Sequence, residues 1–426
     1  MTVPEQAVPE RREKKHNLLQ TLGPGLITGA SDDDPSGIAT YSQVGAQFGY
    51  GLLWSMLFSY PLMATIQEIS ARLGRVTGHG IAGNMRRHSS PFWLWIITGL
   101  LVTANVINLG ADIGAMGSAV KLLIGGPALL YYALFALASV LLQVFVPYTR
   151  YARFLKWLTV SLLAYVATVF VVRVPWGTAL KATLFPHFSF GATSIQALVA
   201  VLGTTISPYL FFWQASEEVS DMDTHELETP LKRAPDQAQA QFHRIRTDTF
   251  IGMAFSNLVA YFIILTAAAV LHAHGKIDIQ TSSQAAEALR PVAGPFAFVL
   301  FAAGIIGTGL LALPVLAGSA GYALGEALNW PVGLERKPYQ ARGFYGIIAL
   351  STLLGLGVVL LKVDPIKALF YSAIINGVAA APVMILTSNH RVMGQYTLKG
   401  WLKWIGWLAT AVMTVAAIAM FTTLGQ

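Results

Sequence analysis

The sequence predicts an all-α membrane protein with about eleven transmembrane helices, and three observations support that prediction. Hydrophobic residues make up 54% of the 426 positions, only 12% are charged and the mean hydropathy is +0.57, whereas a soluble protein carries about 25% charged residues. Apolar stretches long enough to cross a hydrocarbon core of about 30 Å recur along the whole chain. Two of these stretches are interrupted by proline and polar residues.

The predicted spans follow one another with short polar connections, and the first and sixth are interrupted. Ahead of them, residues 1–16 are polar and basic without an apolar core, which we interpret as a cytoplasmic tail and not as a cleaved signal peptide. Residues 17–426 then form one transmembrane domain. Its spans cover residues 17–50, 51–71, 92–124, 127–147, 152–173, 193–217, 247–272, 293–328, 343–361, 365–387 and 400–424.

The basic residues indicate how the spans are oriented. If the N-terminus is placed inside, about three quarters of the 28 Lys and Arg residues fall on the cytoplasmic side, as the positive-inside rule requires. This predicts a cytoplasmic N-terminus and an external C-terminus. The formal net charge of +7 therefore reflects membrane topology, and we expect no nucleic-acid partner. The chain has no cysteine, which excludes disulfides and thiolate metal sites.

Both interruptions contain a proline. In the first span, "DDDPSG" (32–37) contains Pro35, which has no N–H and disfavours helix at the residue before it. In the sixth span, "GTTISPY" (203–209) contains Pro208. Non-helical backbone at membrane depth survives only where it is buried in protein or lines a polar cavity. We therefore predict a buried polar site at the two breaks.

The broken spans are five crossings apart and enter the membrane from opposite sides. This arrangement predicts two inverted repeats, at about 17–173 and 193–388, with a midplane site between them and an extra helix at about 400–424. Each first half-helix ends at that site with exposed carbonyl groups and a partial negative charge. The site should therefore attract cations.

Three consecutive aspartates at the first break strengthen the prediction of a cation site. Asp32, Asp33 and Asp34 would add carboxylates to the carbonyl ends. A charge at the bilayer centre costs about 3 kcal/mol or more, so its usual role is functional. The alternative is that the cluster only caps the second half-helix, a role that would suit Asp34 or Ser36.

At the end of the sixth span, Glu217 and Glu218 follow a long apolar stretch. Charged residues at such a position are typical of a solvated helix end, and we expect that here. A role in attracting cations that leave the site is the alternative.

Several stretches resemble the NRAMP family of divalent-metal transporters. They are "GPGLITGASDDDPSGIATYSQVGAQFGYGLLW" followed by "QEISARLGRVTG", and later "DIQTSSQAAEALRPVAGPFA" and "TSNHRVMG". The resemblance implies a LeuT-like fold with a metal ion bound between spans one and six, in the cell membrane of a prokaryote. The ion and the lipid bilayer would be the partners of a protein that we expect to be a monomer. Metalloprotease and nucleotide-loop motifs are missing from the sequence, so we expect neither an enzyme nor a cofactor.

The sequence departs from the family pattern at the ion site. The family's Asp-Pro-Gly-Asn falls on residues 34–37, which keeps Asp34 and puts Gly37 in place of the asparagine. In the sixth span, the family's methionine ligand falls on Ser207 and its histidine on Tyr209. This pattern is similar to the NRAMP-related magnesium transporter branch.

A hydroxyl in place of a thioether predicts a preference for hard ions. Thioethers favour Mn²⁺ and Fe²⁺ over Mg²⁺, which prefers octahedral oxygen ligands and keeps several waters. We therefore predict uptake of largely hydrated Mg²⁺, and also of Mn²⁺, by alternating access, with room for the hydrated ion beside Gly37. The predicted ligands, direct or through water, are Asp34, Asp33, Gly37, Thr204, Thr205, Ser207, Tyr209 and Asn376.

Groups that relay protons in the family are also replaced. The second histidine of the sixth span falls on Gln214, and two glutamates of the third span fall on Asn105 and Ala115, whereas Asp112 is kept. We therefore predict transport that is not coupled to protons. Two alternatives stay open: a proton-coupled Mn²⁺ or Fe²⁺ symporter, and an organic-solute symporter of the same fold, although three aspartates would repel a substrate carboxylate.

Overall fold

The structure, a computed structural model, describes residues 23–146, 148–186, 191–225, 227–361 and 380–423. Every secondary-structure element that can be bounded in these ranges is an α-helix or a short 3₁₀ turn, as the sequence predicts. The predicted tail at 1–16 and the predicted ligand Asn376 lie outside the described residues. So does most of the predicted span at 365–387.

The described helices follow the predicted spans, and the first and sixth spans are each divided into two helices. Their bounds are α1 Pro24–Asp32, α2 Pro35–Phe48, α3 Trp54–Thr77, α4 Ile81–His88, α5 Pro91–Ile124, α6 Ala128–Phe145, α7 Tyr148–Leu158, α8 Leu163–Val171, α9 Trp176–Leu184, α10 Ala192–Thr205, α11 Pro208–Asp223, α12 Ala238–Val270, α13 Ser282–Leu328, α14 Arg342–Leu360, α15 His390–Met393 and α16 Gly400–Thr423. Within α13, Gly294 has non-helical angles (φ 86°, ψ 171°), which only glycine adopts readily. It separates an initial segment from the membrane span.

Eight stretches of the described residues are long and apolar enough to cross a membrane. They are Pro91–Ile124, Ala128–Phe145, Arg153–Val171, Ala192–Asp223, Pro235–His274, Gly294–Leu328, Arg342–Leu360 and Gly400–Met420. The first two predicted spans are also helical, at α1, α2 and α3, but are less apolar. Because most residues of these helices are buried inside the bundle, they face protein more than lipid and can carry polar side chains.

Helix α12 supports both halves of the broken first span. It packs along α1 and α2, and its backbone meets that of α1 where two glycines face each other. A Cβ on Gly29 would lie 2.3 Å from the carbonyl oxygen of Gly252, and only small residues let membrane helices approach this closely. The carboxylate of Asp248 also accepts three hydrogen bonds, at 2.7–3.1 Å, from backbone N–H groups at the start of α1. The first break is thereby held against α12.

The two glutamates near the end of α11 are buried, so the prediction that they form a solvated helix end is wrong. Glu217 is 1% exposed and Glu218 is fully buried. Glu218 forms an ion pair with Arg244 of α12, and the buried Arg75 of α3 forms one with Glu228. Arg75 also lies 3.6 Å from Asp221 of α11, so these charges join α3, α11 and α12 at this end of the bundle.

Candidate cation site between the broken helices

The first break lies at two aspartates between α1 and α2. Helix α1 ends at Asp32 and α2 begins at Pro35, with Asp34 as its N-cap. Oδ1 of Asp34 accepts hydrogen bonds from the backbone N–H of Gly37 (2.5 Å) and from the hydroxyl of Ser36 (2.7 Å). Asp34 therefore caps α2 through one oxygen, as the alternative in the sequence analysis required, and keeps the other oxygen for a second contact.

The second break lies between α10 and α11. Helix α10 ends at Thr205 and α11 begins at Pro208, with Ser207 as its N-cap. The Ser207 hydroxyl points back along α10, with the carbonyl oxygens of Gly203 and Thr204 at 2.9 and 2.8 Å. A hydroxyl has one proton and two lone pairs. Because the proton goes to α10, the lone pairs of Ser207 can accept a hydrogen bond or coordinate a cation.

Tyr209 connects the two breaks. It lies in the first turn of α11 and is 3% exposed. Its hydroxyl lies 2.8 Å from the carbonyl oxygen of Ser31 on α1 and 3.3 Å from Oδ2 of Asp34. The single phenolic proton fits the shorter contact better. Oδ2 of Asp34 then has only a long contact to an oxygen, which leaves it able to bind an ion.

A further carboxylate reaches this site from α5. Asp112 is fully buried, and its Oδ1 accepts a hydrogen bond from the backbone N–H of Ser36 at 3.0 Å. Its Oδ2 has no hydrogen-bond partner among the described residues, and Ser36 links it to Asp34, since the Ser36 hydroxyl donates to Asp34. The predicted ligand set omitted Asp112, although an acid in the middle of an apolar 34-residue helix was a usable signal.

The structure places two of the predicted ligands, Thr205 and Gly37, in other contacts. The Thr205 hydroxyl donates to the carbonyl of Val201 at 3.1 Å within α10. The space beside Gly37 is filled, since a Cβ there would lie 3.0 Å from the methyl group of Thr204 and 3.1 Å from the carbonyl oxygen of Asp32. The expected room for a hydrated ion beside Gly37 is therefore wrong for this conformation. Gly37 instead allows the two breaks to touch.

The two amides that replace family proton-relay groups hold helices together. Nδ2 of Asn105 on α5 donates to the carbonyl oxygen of Leu316 on α13 at 2.9 Å. Nε2 of Gln214 on α11 donates to the hydroxyl of Thr249 on α12 at 2.8 Å. Both amides are 1% exposed. Neutral amides do not titrate, so these positions cannot exchange protons.

A second group of metal-ligating side chains lies after α11. One ligand atom from each of Asp221, His225 and Glu228 lies within 4.8 Å of the others. Glu228, however, already forms an ion pair with the buried Arg75, which also lies 3.6 Å from Asp221. The arginine supplies the positive charge that a metal ion would bring. We therefore regard the break between α1 and α2, and not this group, as the cation site.

The fold and the site together define a class of protein, and solved structures agree. The chain resembles the manganese transporter of Eremococcus coleocola in complex with an aromatic bis-isothiourea compound, with a TM-score of 0.80 at 18% identity, covering 98% of this chain and 89% of that one. It also resembles Mhp1, a nucleobase-cation-symport-1 family transporter (TM-score 0.60, 13% identity, 94% and 92% covered), and MhsT in complex with L-phenylalanine (TM-score 0.61, 13% identity, 94% and 98% covered). The LeuT-like fold is confirmed. The chain is an all-helical membrane protein built on the plan of transporters with two discontinuous helices.

The sequence identifies the family within this class. Residues 25–423 match the Nramp family, described as natural resistance-associated macrophage protein-like, so the chain belongs to the Nramp family. It is 28% identical over 409 residues to the divalent metal cation transporter MntH of Klebsiella pneumoniae, covering 93% of this chain and 92% of that one. It is 27% identical over 405 residues to the MntH of Aeromonas hydrophila, covering 92% and 91%. The family resemblance stated from the motifs is confirmed.

Proposed function

We propose that this protein transports hard divalent cations, Mg²⁺ ahead of Mn²⁺, by alternating access at the two breaks. The observation that carries the proposal is the chemistry around Asp34. Its side-chain contacts are the hydroxyls of Ser36 and Tyr209 and a backbone N–H, and Ser207 stands where the family has a thioether. Oxygen ligands favour Mg²⁺, whereas a thioether would favour softer ions.

The ion would keep part of its water shell. Asp34 and Asp112 each have one carboxylate oxygen without a strong hydrogen bond, and Ser207 has lone pairs to offer. Mg²⁺ is usually held by one or two carboxylates and retained waters in an octahedron. Water would therefore supply the remaining positions. The two carboxylates would balance the charge of Mg²⁺, although the protein supplies fewer than six ligands.

We further propose that transport is not coupled to protons. Tyr209 replaces the histidine of the family, and its hydroxyl is engaged by Ser31 and Asp34. Gln214 and Asn105 are amides that bind neighbouring helices. A proton relay needs a chain of titratable groups or ordered water, and these residues interrupt it. The membrane potential would then drive uptake, at about 4.6 kcal/mol per 100 mV for two charges.

The remaining features of the proposal follow from the sequence. The distribution of basic residues supports a cytoplasmic N-terminus and an external C-terminus. We place the protein in the cell membrane of a prokaryote, as a monomer, and in the NRAMP-related magnesium transporter branch. The two halves at about 17–173 and 193–388 would be inverted repeats.

A second candidate function is proton-coupled Mn²⁺ transport. Two observations favour Mn²⁺ as the ion. A solved structure with the same fold is named a manganese transporter, and a sulfur ligand is close to the break, because Met116 of α5 and Pro35 both border Gly309. Met116 is fully buried. If its thioether reached the ion, it would favour Mn²⁺ over Mg²⁺.

Uptake by the reconstituted protein distinguishes the two functions. Liposomes that contain a pH-sensitive dye and have a potassium-set membrane potential would be offered Mg²⁺ or Mn²⁺ outside. The proposal expects uptake of both ions, stimulated by a negative inside potential, without a change in internal pH. Acidification that accompanies metal entry and disappears without metal would refute the uncoupled mechanism. Uptake of Mn²⁺ that excess Mg²⁺ does not inhibit would refute the preference for hard ions.

A further inference from the structure

A basic and aromatic surface lies where α12 and α16 meet. The guanidinium carbon of Arg246 on α12 lies 5.1 Å from the ring centre of Trp401 on α16 and 5.8 Å from that of Phe250. The rings of Phe250 and Trp401 pack edge to face, with their centres 6.3 Å apart. Lys399 and Lys403 flank Trp401 two positions away on either side, and both are exposed. We call this the α12–α16 surface, and it consists of Arg246, Lys399, Trp401, Lys403 and Trp404.

The positive charges of this surface have no acidic partners in the part of the chain that the structure describes. The ion pairs there do not include Arg246, Lys399 or Lys403. The sequence has no Asp or Glu after residue 364, so α16 brings no acid. Glu68 of α3 forms an ion pair within its own helix, and Asp248 of α12 accepts hydrogen bonds from α1. The three cations can therefore attract an anion from outside the protein.

The surface lies at the level where both helices enter the apolar region. Arg246 is the last basic residue of α12, and Lys403 is the last charged residue of the chain. The stretch Gly400–Met420 is long and apolar enough to cross a membrane. Trp401 and Trp404 are 41% and 75% exposed, and tryptophan is enriched at the level of the lipid headgroups. The surface is therefore placed to meet headgroups.

A ligand that fits the whole surface has a negative charge and an apolar part. Leu408 follows Trp404 by four positions, so the two lie on the same face of α16, and both are exposed. A phosphate group could contact the basic side chains while an acyl chain lies along these two residues. Inorganic phosphate would use only the charges.

We propose that the α12–α16 surface binds the headgroup of an anionic phospholipid. Basic residues near a membrane surface attract such lipids, and each adds about fivefold to the affinity. The three cations around Trp401 would contact the phosphate, and the exposed indole rings would lie between the headgroup and the acyl chains. This inference goes beyond the proposed function and holds for any transported ion.

Lipid binding at this surface can be measured separately from ion binding. Arg246 and Asp248 belong to the same turn of α12, but residues two positions apart on a helix point about 200° away from each other. Asp248 faces α1, whose backbone N–H groups donate to it. Arg246 therefore points away from α1, and it is exposed. A lipid bound to Arg246 would join α12 to α16 without entering the break between α1 and α2.

Lipid retention by the full chain tests the inference. The protein, purified in detergent, would be incubated with phosphatidylglycerol or with phosphatidylcholine of the same acyl chains, and bound lipid would be counted by native mass spectrometry. We expect the wild type to retain phosphatidylglycerol ahead of phosphatidylcholine. Arg246→Gln should bind phosphatidylglycerol about fivefold more weakly, and the triple variant with Lys399→Gln and Lys403→Gln about 100-fold more weakly.

Two control variants separate the charge from its surroundings. Arg246→Lys keeps the positive charge and should bind phosphatidylglycerol within about twofold of the wild type. Lys276→Gln removes an exposed charge beyond the other end of α12 and should bind as the wild type does. Because the three substituted side chains of the triple variant are exposed, its thermal unfolding in detergent without lipid should match that of the wild type.

Three results would overturn the inference. The first is equal retention of the two lipids by the wild type, and the second is unchanged binding of phosphatidylglycerol by the triple variant. The third is displacement of phosphatidylglycerol by inorganic phosphate at equal concentration, which would show a site for anions and not for lipids. Each of these results leaves the proposed function standing, because metal uptake is measured independently.

Discussion

Replacing Asp34 by asparagine should separate its two roles, capping α2 and binding the ion. Asparagine is as good an N-cap as aspartate, and its oxygen can accept the hydrogen bonds that Oδ1 of Asp34 receives from Gly37 and Ser36. Asp34→Asn therefore keeps the local structure and removes the charge. Asp34→Ala removes both, so it should be less stable than Asp34→Asn by about 1 kcal/mol, the cost of a lost N-cap.

The effect on the ion can be estimated from the charge. Two unit charges 4 Å apart interact by about 4 kcal/mol at an effective dielectric constant of 20, so a divalent ion gains about 8 kcal/mol from Asp34 before its dehydration is subtracted. Even if dehydration offsets more than half of this gain, about 3 kcal/mol remains, which corresponds to a loss of roughly 100-fold in affinity. Both variants should therefore lose at least this factor in uptake.

Two measurements check this prediction together. Thermal unfolding in detergent without metal should place Asp34→Asn at or above the wild type, because a buried charge is gone, and Asp34→Ala below Asp34→Asn. Added Mn²⁺ should raise the unfolding temperature of the wild type but not of either variant. Liposome uptake should be lost in both and kept in Asp278→Asn, a control at an exposed carboxylate. Near wild-type uptake by Asp34→Asn would show that the charge of Asp34 does not bind the ion.

Four other changes test separate contacts. Ser207→Met should raise Mn²⁺ uptake relative to Mg²⁺ by about tenfold in competition assays, since one soft ligand is gained; an unchanged ratio would show that residue 207 does not face the ion. Tyr209→Phe should lower the free energy of unfolding by about 1–2 kcal/mol, because the buried carbonyl of Ser31 loses its donor; unchanged denaturant unfolding would contradict that contact. Asp248→Asn leaves one acceptor oxygen for three N–H groups at the start of α1, so α1 should detach from α12 more often. Ser31→Cys would place a single cysteine on α1 of this cysteine-free chain. This cysteine should react faster with thiol reagents in the double variant with Asp248→Asn than in Ser31→Cys alone. Burial, followed by the nearby Arg87, lowers the pKa of His79 to about 4, so stability should fall as the pH drops from about 6.5 toward 4; the fall should be smaller in His79→Gln.

Features that depend on local chemistry could be predicted from the sequence. Pro35 and Pro208 each mark the start of a second half-helix, because proline lacks the N–H that a continuous helix needs. The first break is limited to Asp33 and Asp34, which is narrower than the predicted 32–37. Asp34 also acts as an N-cap, which its residue type and position predicted.

Contacts between residues distant in the sequence could not be predicted from the sequence patterns. The charged end of α11 has the pattern of a solvated helix end, but Glu218 is buried because Arg244 approaches from α12. The approach of Asp112 to Ser36 spans 76 positions, and the link from Tyr209 to Ser31 spans 178. No local periodicity reports such contacts. For the same reason Gly37 could be interpreted as open space, although Thr204 fills it.

The three consecutive aspartates are not equivalent, and their differences connect ion binding to helix movement. Asp34 is held by donors of α2, whereas Asp32 is held by Ser256 of α12. On the proposed function, an ion at Asp34 binds the same carboxylate oxygen that faces Tyr209, and Tyr209 also holds the end of α1 through Ser31. A movement of α1 relative to α11 would therefore break the contact between Tyr209 and Ser31. On the proposed function, this phenolic hydroxyl would link ion binding to the position of α1, and alternating access requires such a link between a ligand and a conformation.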